Sequence, residues 1–243
     1  MKRWEKRLSE MFDGVIMVSP EDTEFARREY GLKKVLGDVP AGVDADYFQP
    51  GDLRQGRAAT LGFLGSMDWM PNVEAVTWFV EEVFPEVKKT VDGVNLLVIG
   101  RRPPPPIEAL AAKDQDIEVT GTVDDVRPYL ERCDLLVVPL LSGGGTRIKI
   151  MESLAAGLPV VSTSVGAEGL GLVNGEHLLV ADTAREFVAA VTQLISEPEM
   201  RHQMSAKGRA LVQADFSWDR ATKVFMDHAQ KAPGRLVTGS EVS

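Results

Sequence analysis

The stretch that decides both the fold and the site is SGGGTRIKIMESLAAGLPVVST, residues 142–163. Three glycines, Gly143 to Gly145, follow a predicted buried strand that ends at Leu140, and a helical pattern begins at Thr146. This order predicts a buried strand, a tight loop and a helix. Glycines let a ligand approach the backbone closely, and the free amides at a helix N-terminus attract an anion.

Two cations near the start of this helix point to the same chemistry. Arg147 and Lys149 are predicted to lie in its first turn, where positive charge opposes the helix dipole. A bound anion would resolve that conflict, and a local rule that is broken often marks a functional site. Glu152 shares a helix face with Lys149, so its spacing fits either an i,i+3 ion pair or contact with a ligand above the glycines.

The glycine loop differs from the two common nucleotide-binding motifs. It lacks the Lys-Ser/Thr pair of a P-loop. It also follows the fourth strand of the regular domain, whereas the dinucleotide fingerprint follows the first. The loop alone is therefore a weak signal, and its meaning depends on the rest of the chain.

Outward from this stretch, short apolar runs alternate with helical segments. The alternation predicts an α/β fold with a doubly wound, Rossmann-like parallel sheet. Nearly all-apolar strands are expected when helices cover both faces of such a sheet. Strands are predicted at 15–18, 34–39, 60–64, 94–99, 117–120, 135–140, 160–163 and 178–181, and helices at 21–30, 71–90, 107–113, 125–132, 146–156, 184–195, 199–213 and 218–231.

Composition narrows the class of protein. The 243 residues are 44% hydrophobic, enough for one sizeable core, and the net charge of −9 argues against a nucleic-acid partner. One cysteine, Cys133, excludes an intramolecular disulfide and fits a reducing compartment. We expect a cytoplasmic protein. Its N-terminal tryptophan and basic residues are expected on a solvated helix, with peripheral contact at the inner membrane face as the alternative.

The arrangement of histidines and acidic residues in the sequence does not indicate a metal site. His177, His202 and His228 all fall late in the chain, and none has a ligand partner at helical spacing. Asp124 and Asp125 precede a predicted helix, where capping is the expected role of such residues. We therefore predict no metal site and no resident cofactor.

The run from Gly143 to Val161 resembles the signature of retaining GT-B glycosyltransferases of the large group 1 (family 4) type. In that family a Gly-rich turn leads into a helix with a glutamate, followed by a small-residue turn, Gly-x-Pro and a Val-Val strand. The resemblance extends over roughly residues 12 to 225 and is closest to sugar transferases of exopolysaccharide-type clusters. Other stretches that agree in order and spacing are 39–48, 61–66, 97–101, 119–123 and 164–170.

The resemblance implies a donor site for a nucleoside-diphosphate sugar and no obligatory metal. Arg147 and Lys149 would be the catalytic cations, neutralising the nucleoside diphosphate as it leaves. Arg101 is a second candidate phosphate contact, or else a solvated side chain. The remaining donor contacts implied are Gly65, Ser66, Gly143, Gly144, Gly145 and Thr146 for the diphosphate, Glu152 for the ribose hydroxyls, and Thr122 and Val123 beside the base.

The sequence departs from the family pattern at three places. The first acid of the family's Glu-x7-Glu motif would fall at Gly144, which removes a contact with the donor sugar. Many members place an arginine and a lysine after the first glycine turn of the C-lobe, where this chain reads Ser66 to Asn72. We suggest that Arg147 and Lys149 take over that cationic role. The family's linker asparagine is Ala41 here.

The resemblance also divides the chain. Residues 1–56 correspond to a remnant of the N-lobe (strand, helix, strand) with a linker, 57–214 to the nucleotide-sugar-binding domain, and 215–243 to a C-terminal helix and disordered tail. The predicted function is donor binding in transfer of a sugar to a glycan or lipid-linked glycan, without activity until an N-lobe is supplied. We expect an apolar patch that docks an N-lobe or a second copy. The alternative is a non-catalytic nucleotide-binding or protein-interaction module.

Overall fold

The computed structural model describes residues 2–51, 58–143 and 145–232. The predicted linker at 52–57, Gly144 and the predicted disordered tail from residue 233 lie outside the described residues. The chain forms two compact units, one drawn from Met1–Val43 and Ala214–Ser243 and the other from Asp44–Gln213.

Helices and strands alternate between residues 60 and 196, as the apolar pattern predicts. In chain order they are α1 (Lys2–Ser9), β1 (Val15–Met17), α2 (Pro20–Glu29), β2 (Val35–Asp38), β3 (Thr60–Leu64), α3 (Met70–Trp78), a π-helical turn (Phe79–Val83), α4 (Phe84–Thr90), β4 (Asn95–Ile99), α5 (Pro105–Lys113), β5 (Ile117–Val119), α6 (Arg127–Leu130), β6 (Leu135–Val138), α7 (Ile148–Ala155), β7 (Val160–Ser162), α8 (Ser164–Ala167), β8 (Leu179–Val180), α9 (Ala184–Ser196), α10 (Pro198–Asp215) and α11 (Trp218–Ala229).

The larger unit is built on a parallel sheet of six strands in the order β5-β4-β3-β6-β7-β8. This is the doubly wound order, and it confirms the predicted fold class. The chain reverses its direction of growth between β3 and β6. In such sheets the ligand crevice lies at this switch point, outside the carboxyl ends of the strands.

The core of this unit follows from its all-apolar strands. Every residue of β3 and β6 is buried, as expected for a sheet covered on both faces. The β6 ladder ends before the predicted limit at Leu140 because Pro139 has no N–H to donate. The carbonyl of Leu140 instead accepts a hydrogen bond from Thr163 Oγ1 at 2.6 Å, so the strand ends in a fixed position beneath the glycine loop.

The single helix predicted at 71–90 is interrupted. A π-helical turn separates α3 from α4, and the N–H of Phe84 donates to the carbonyl of Phe79, five residues back. Pro85 explains the slip, because it can neither donate to a carbonyl four residues back nor tolerate that carbonyl near its ring. Both phenylalanines are buried, so the wider turn still packs on the core.

The smaller unit contains β1 and β2 as a parallel pair, with α2 and α11. Ser19 Oγ accepts the N–H of Asp22 at 3.0 Å and Pro20 follows it, so α2 begins at Pro20, one residue before its predicted start. Large apolar side chains of this unit are exposed: Trp4, Leu8, Met11, Phe12, Val18, Phe25, Trp218, Phe225 and Met226. Among the described residues, no helix is both long and apolar enough to cross a bilayer.

Candidate functional site

Four segments of the larger unit meet at the carboxyl edge of the sheet. They are the turn after β3, the turn after β4, the loop after β6 and the start of α7. The first two are in direct contact: the N–H of Gly65 donates to the carbonyl of Ile99 at 2.9 Å. A Cβ on Gly100 would overlap the carbonyl oxygen of Gly65. Only glycine therefore fits at residue 100, and the two turns are held backbone to backbone.

This close approach gives a first prediction. Gly100→Ala is expected to lower the free energy of unfolding by about 1–3 kcal/mol, because the turn after β3 must move to make room. Chemical denaturation of the variant and the original chain measures the loss. An unchanged midpoint would mean that the two turns are not packed as described.

Arg147 braces the glycine loop. Its side chain donates to the carbonyls of Gly145 (2.8 Å), Gly143 (2.7 Å) and Val165 (3.2 Å). The residue is only 6% exposed, and burial lowers the pKa of its guanidinium. Its Nε is buried without a hydrogen-bond partner. In this conformation the guanidinium fixes the loop backbone through three of its five N–H donors.

The predicted start of the helix at Thr146 is wrong. Helix α7 begins at Ile148, and Arg147 lies outside it at the N-cap, with φ −86° and ψ 56°. Gly143 and Gly145 have φ of 113° and 93°. The backbone at Gly143, Gly145 and Arg147 is therefore non-helical, and hydrogen bonds from the guanidinium of Arg147 hold it in this conformation. Of the two cations predicted for the first turn, only Lys149 lies there.

Lys149 is the second cation of the site; its side chain is half-buried. Its Nζ donates to Asn72 Oδ1 at 2.6 Å and lies 4.9 Å from the centre of the Phe63 ring. A Cβ placed on Gly65 would be 2.7 Å from this Nζ. The ammonium group therefore lies directly against the glycine turn that follows β3.

The pKa values of the helix side chains reflect this burial. Loss of water, and then the charge of Arg147, lower the pKa of Lys149 to about 7, and the charge of Glu152 partly offsets both effects. Burial also raises the pKa of Glu152, and Lys149 opposes that shift. Among the described residues, no ion pair within 4.0 Å joins Lys149 to Glu152. The simple i,i+3 pair is therefore absent.

Asn72 is a site residue that the sequence analysis did not single out. It is 5% exposed, lies in the first turn of α3, and its Nδ2 donates to the carbonyl of Ser66 at 2.7 Å. Its Oδ1 accepts a hydrogen bond from Nζ of Lys149. The amide thus connects α7 to the turn after β3. Its burial depends on tertiary contacts, so no pattern in the sequence singles it out.

A second group of charges borders the same turn. Arg101 Nε donates to Ser66 Oγ at 2.8 Å, and Ser66 Oγ donates to Asp68. Arg102 reaches the same carboxylate at 3.3 Å. The hydrogen bond from Ser66, and then the charges of the two arginines, hold the pKa of Asp68 below its usual value despite an opposing desolvation effect. Arg101 is 59% exposed but is tied to the site.

The predicted base contacts lie further along the edge. Thr122 is exposed and Val123 is half-buried, in the turn that follows β5. This strand is separated from β3 by β4. The structure thus places these two residues at the same edge of the sheet as the cations, two strands away from the turn at Gly65.

Comparison with known proteins gives the family. The model for Glycosyl transferases group 1 matches residues 58–197, more than half of the chain. A GDP-mannose-dependent alpha-(1-6)-phosphatidylinositol monomannoside mannosyltransferase of Mycobacterium tuberculosis is 25% identical over 238 residues, which is 88% of this chain and 60% of that protein. A D-inositol 3-phosphate glycosyltransferase of Rhodococcus opacus is 24% identical over 90% of this chain and 53% of its own length. The chain thus spans between half and two thirds of these relatives.

Solved structures agree on the fold. Sucrose-phosphate synthase from Thermosynechococcus elongatus superposes with a TM-score of 0.76 at 21% identity, covering 94% of this chain and 61% of that one. HepE of Anabaena, solved with UDP and glucose, gives 0.75 at 13% identity, covering 95% and 66%. The C-terminal domain of a group 1 glycosyl transferase from Francisella tularensis gives 0.61 at 21% identity, covering 73% of this chain and all of that domain. The chain therefore belongs to the group 1 glycosyl transferases and has the fold of the GT-B enzymes.

Proposed function

We propose that this chain is the donor-binding part of a retaining glycosyltransferase. It binds a nucleoside-diphosphate sugar at the carboxyl edge of β3 and β6, and the sugar is transferred to a glycan or lipid-linked glycan. The acceptor is bound by an N-lobe, as the family resemblance implies. Residues 57–214 form the donor domain in this scheme, flanked by N-lobe elements at 1–56 and a C-terminal helix from 215.

The observation that carries the proposal is the desolvated ammonium of the half-buried Lys149, which lies against Gly65. Burying a charged amine without a counter-charge is costly, and its pKa falls as a result. Its hydrogen bond to Asn72 is to a neutral amide. An anion at the turn after β3 would supply the missing negative charge. A diphosphate fits, because it would also lie at the glycine loop and near the N-terminus of α7.

The chemistry follows from where negative charge develops. When the bond between sugar and diphosphate breaks, the leaving nucleoside diphosphate gains charge, and fixed cations stabilise it. Lys149 supplies that charge from below the turn at Gly65. Arg147 keeps the glycine loop in one conformation and adds a second positive charge. Together they stand in for the cations that many members place between Ser66 and Asn72.

The other donor contacts complete the scheme. Glu152 lies one turn along α7 from Lys149 and would accept hydrogen bonds from the ribose hydroxyls. The base would lie toward Thr122 and Val123, at the neighbouring strand end. Ser66 and Thr146 border the diphosphate with the glycines of both loops. Two cations close to the diphosphate would fulfil the role of a divalent metal, so binding is proposed to be independent of magnesium.

Thermal unfolding with a panel of ligands tests this proposal. UDP, GDP, ADP and their sugars are compared, with magnesium or with a chelator. A ligand present at about 100 times its dissociation constant should stabilise the protein by about 2.7 kcal/mol. We expect one base to give this shift with and without magnesium, and Arg147→Ala or Glu152→Ala to abolish it. Lys89→Ala and Glu86→Ala, which break an exposed pair on α4, are the matched controls. No shift with any ligand would refute the proposal.

A non-catalytic module is the second candidate. The observation in its favour is Gly144, which occupies the position of the acid that contacts the donor sugar in the family. Such a module would bind the nucleoside diphosphate as tightly as its sugar. Addition of an N-lobe from a related enzyme separates the two: transfer of the sugar supports the enzyme, whereas tight binding without transfer supports the module.

A further inference from the structure

We propose that Asp68 is an internal counter-ion at the donor site, holding Arg101 and Arg102 in the free protein and giving them up to the diphosphate when a donor binds. This inference rests on the proposed function, since it concerns the same ligand. It adds two residues, Asp68 and Arg102, to the donor site and assigns a competing anion to the empty site.

The geometry places the three charges at the turn that receives the diphosphate. Asp68 Oδ2 lies 3.3 Å from Arg102 Nη1 and 3.7 Å from Arg101 Nη2. Its other oxygen accepts from the hydroxyl of Ser66, which in turn accepts from Arg101. The carbonyl of Ser66 accepts from Asn72, the partner of Lys149. A chain of hydrogen bonds therefore connects this group to the ammonium of Lys149.

The backbone of Arg102 is held in an unfavourable conformation. Its φ is 52°, and it is the one non-glycine residue with positive φ in the part of the chain that the structure describes. A side chain with a Cβ disfavours this left-handed region, and the following Pro103 further favours extended backbone. Strain of this kind persists where the surroundings impose it, and it concentrates at ligand sites. Here it directs a second guanidinium to the carboxylate of Asp68.

The charge balance shows why a competing anion is needed. The protein as a whole carries −9, yet this edge of the sheet gathers Arg101, Arg102, Arg147 and Lys149. Without a ligand these cations repel one another. The carboxylate of Asp68 offsets part of that repulsion and leaves the two arginines exposed, by 59% and 73% of their side chains. An exposed ion pair exchanges partners at little cost.

Binding then becomes an exchange of anions. The diphosphate takes the two guanidinium groups, and the carboxylate, released from them, keeps only its hydrogen bond from Ser66. The affinity for donor is lower than the arginines alone would give, because the ion pairs with Asp68 must first be lost. In the absence of a ligand, the same ion pairs hold Arg101 and Arg102 in place.

Isothermal titration with the nucleoside diphosphate that gives the largest thermal shift tests the exchange. Asp68→Asn is expected to tighten binding about threefold, the gain from not breaking exposed ion pairs. Arg102→Ala is expected to weaken binding about tenfold, the loss of one charge-assisted contact. The triple variant D68N/R101A/R102A should bind no more tightly than the double variant R101A/R102A, because Asp68→Asn acts only through the arginines. Arg132→Ala and Glu118→Gln, which break an exposed pair elsewhere, serve as controls for a general charge effect.

The outcomes separate this inference from the proposed function. If Asp68→Asn binds as tightly as the original chain or more weakly, or if its gain persists without the two arginines, Asp68 is no counter-ion for them. If, in addition, Arg147→Ala still abolishes binding, the proposed function stands and this inference alone is refuted. If the original chain binds none of the nucleoside diphosphates, both are refuted. Melting temperatures of the unliganded variants confirm that each is folded.

Discussion

Lys149→Met is expected to weaken binding of the nucleoside diphosphate at least about a hundredfold, as for the loss of one preorganised charge-stabilising group. Methionine keeps the length and the apolar packing of the lysine stem but removes the ammonium beneath Gly65. In a complex with an N-lobe, transfer should fall by a similar factor. Titration calorimetry at pH 6.5 measures the loss of binding, with Lys89→Met on the surface of α4 as the control.

The same substitution should not destabilise the empty protein. The ammonium of Lys149 is largely removed from water and its pKa is about 7, so at pH 6 the folded protein carries a desolvated charge that the unfolded chain would hold in water. Removing it offsets the loss of the hydrogen bond to Asn72. We expect the free energy of unfolding at pH 6 to rise by on the order of 1 kcal/mol. A variant that binds normally, or one that is much less stable when empty, would contradict the role given to Lys149.

Donor affinity is expected to fall by about a factor of ten for each pH unit above 7. In the free protein Lys149 loses its proton near pH 7, while a bound diphosphate raises the pKa of this amine and keeps it charged. Binding above pH 7 must therefore take up one proton. The groups whose charges act on the amine are Arg147, which favours the neutral form, and Glu152, which favours the charged form. The terminal phosphate of the diphosphate is half ionised near pH 6 and almost fully ionised above pH 7, so it contributes little to the slope there.

Calorimetry in two buffers of different ionisation enthalpy measures this proton uptake directly. About one proton should be taken up at pH 8.5, and almost none at pH 6. Lys149→Arg should lose the slope, because a guanidinium stays charged throughout this range. A flat affinity from pH 7 to 9 in the original chain would contradict the prediction.

The free energy of unfolding of the protein without ligand should rise as the pH increases, whereas the donor affinity falls. Burial lowers the folded pKa of Lys149 from an ordinary value near 10.5 to about 7. Between these values the unfolded chain binds the proton and the folded chain does not. The contribution of this group to the free energy of unfolding therefore rises with pH from about 7 toward 10.5. Below pH 7 both states are protonated, and the full cost of the desolvated charge remains.

The sequence was sufficient for the architecture because apolar periodicity and the position of glycines are local properties. The parallel sheet and the glycine loop after β6 both follow from them. The details that failed depend on tertiary contacts. The start of α7 is set by Arg147, which closes the loop through Gly143 and Gly145. The π-helical turn arises where Pro85 meets a helix that must still bury Phe79 and Phe84.

Only part of the candidate site could be predicted from the sequence. Arg147, Lys149 and Glu152 are close together in sequence. The two cations were predicted where positive charge opposes the helix dipole, and Glu152 shares a helix face with Lys149. Asn72 and Asp68 come from a different strand end. Their closeness to Lys149 and Arg101 follows from the strand order, which periodicity does not give. The donor roles of Thr122, Val123 and Thr146 rest on the family resemblance and stay predictions.

Hydrogen exchange of the backbone amides, with and without the nucleoside diphosphate that stabilises the protein most, tests the central claim most directly. The account predicts slower exchange in two segments that are far apart in sequence, residues 65–72 after β3 and residues 141–152 around the glycine loop. It predicts no change in the smaller unit. Protection of any other surface, with these two segments unaffected, would contradict a donor site centred on Lys149.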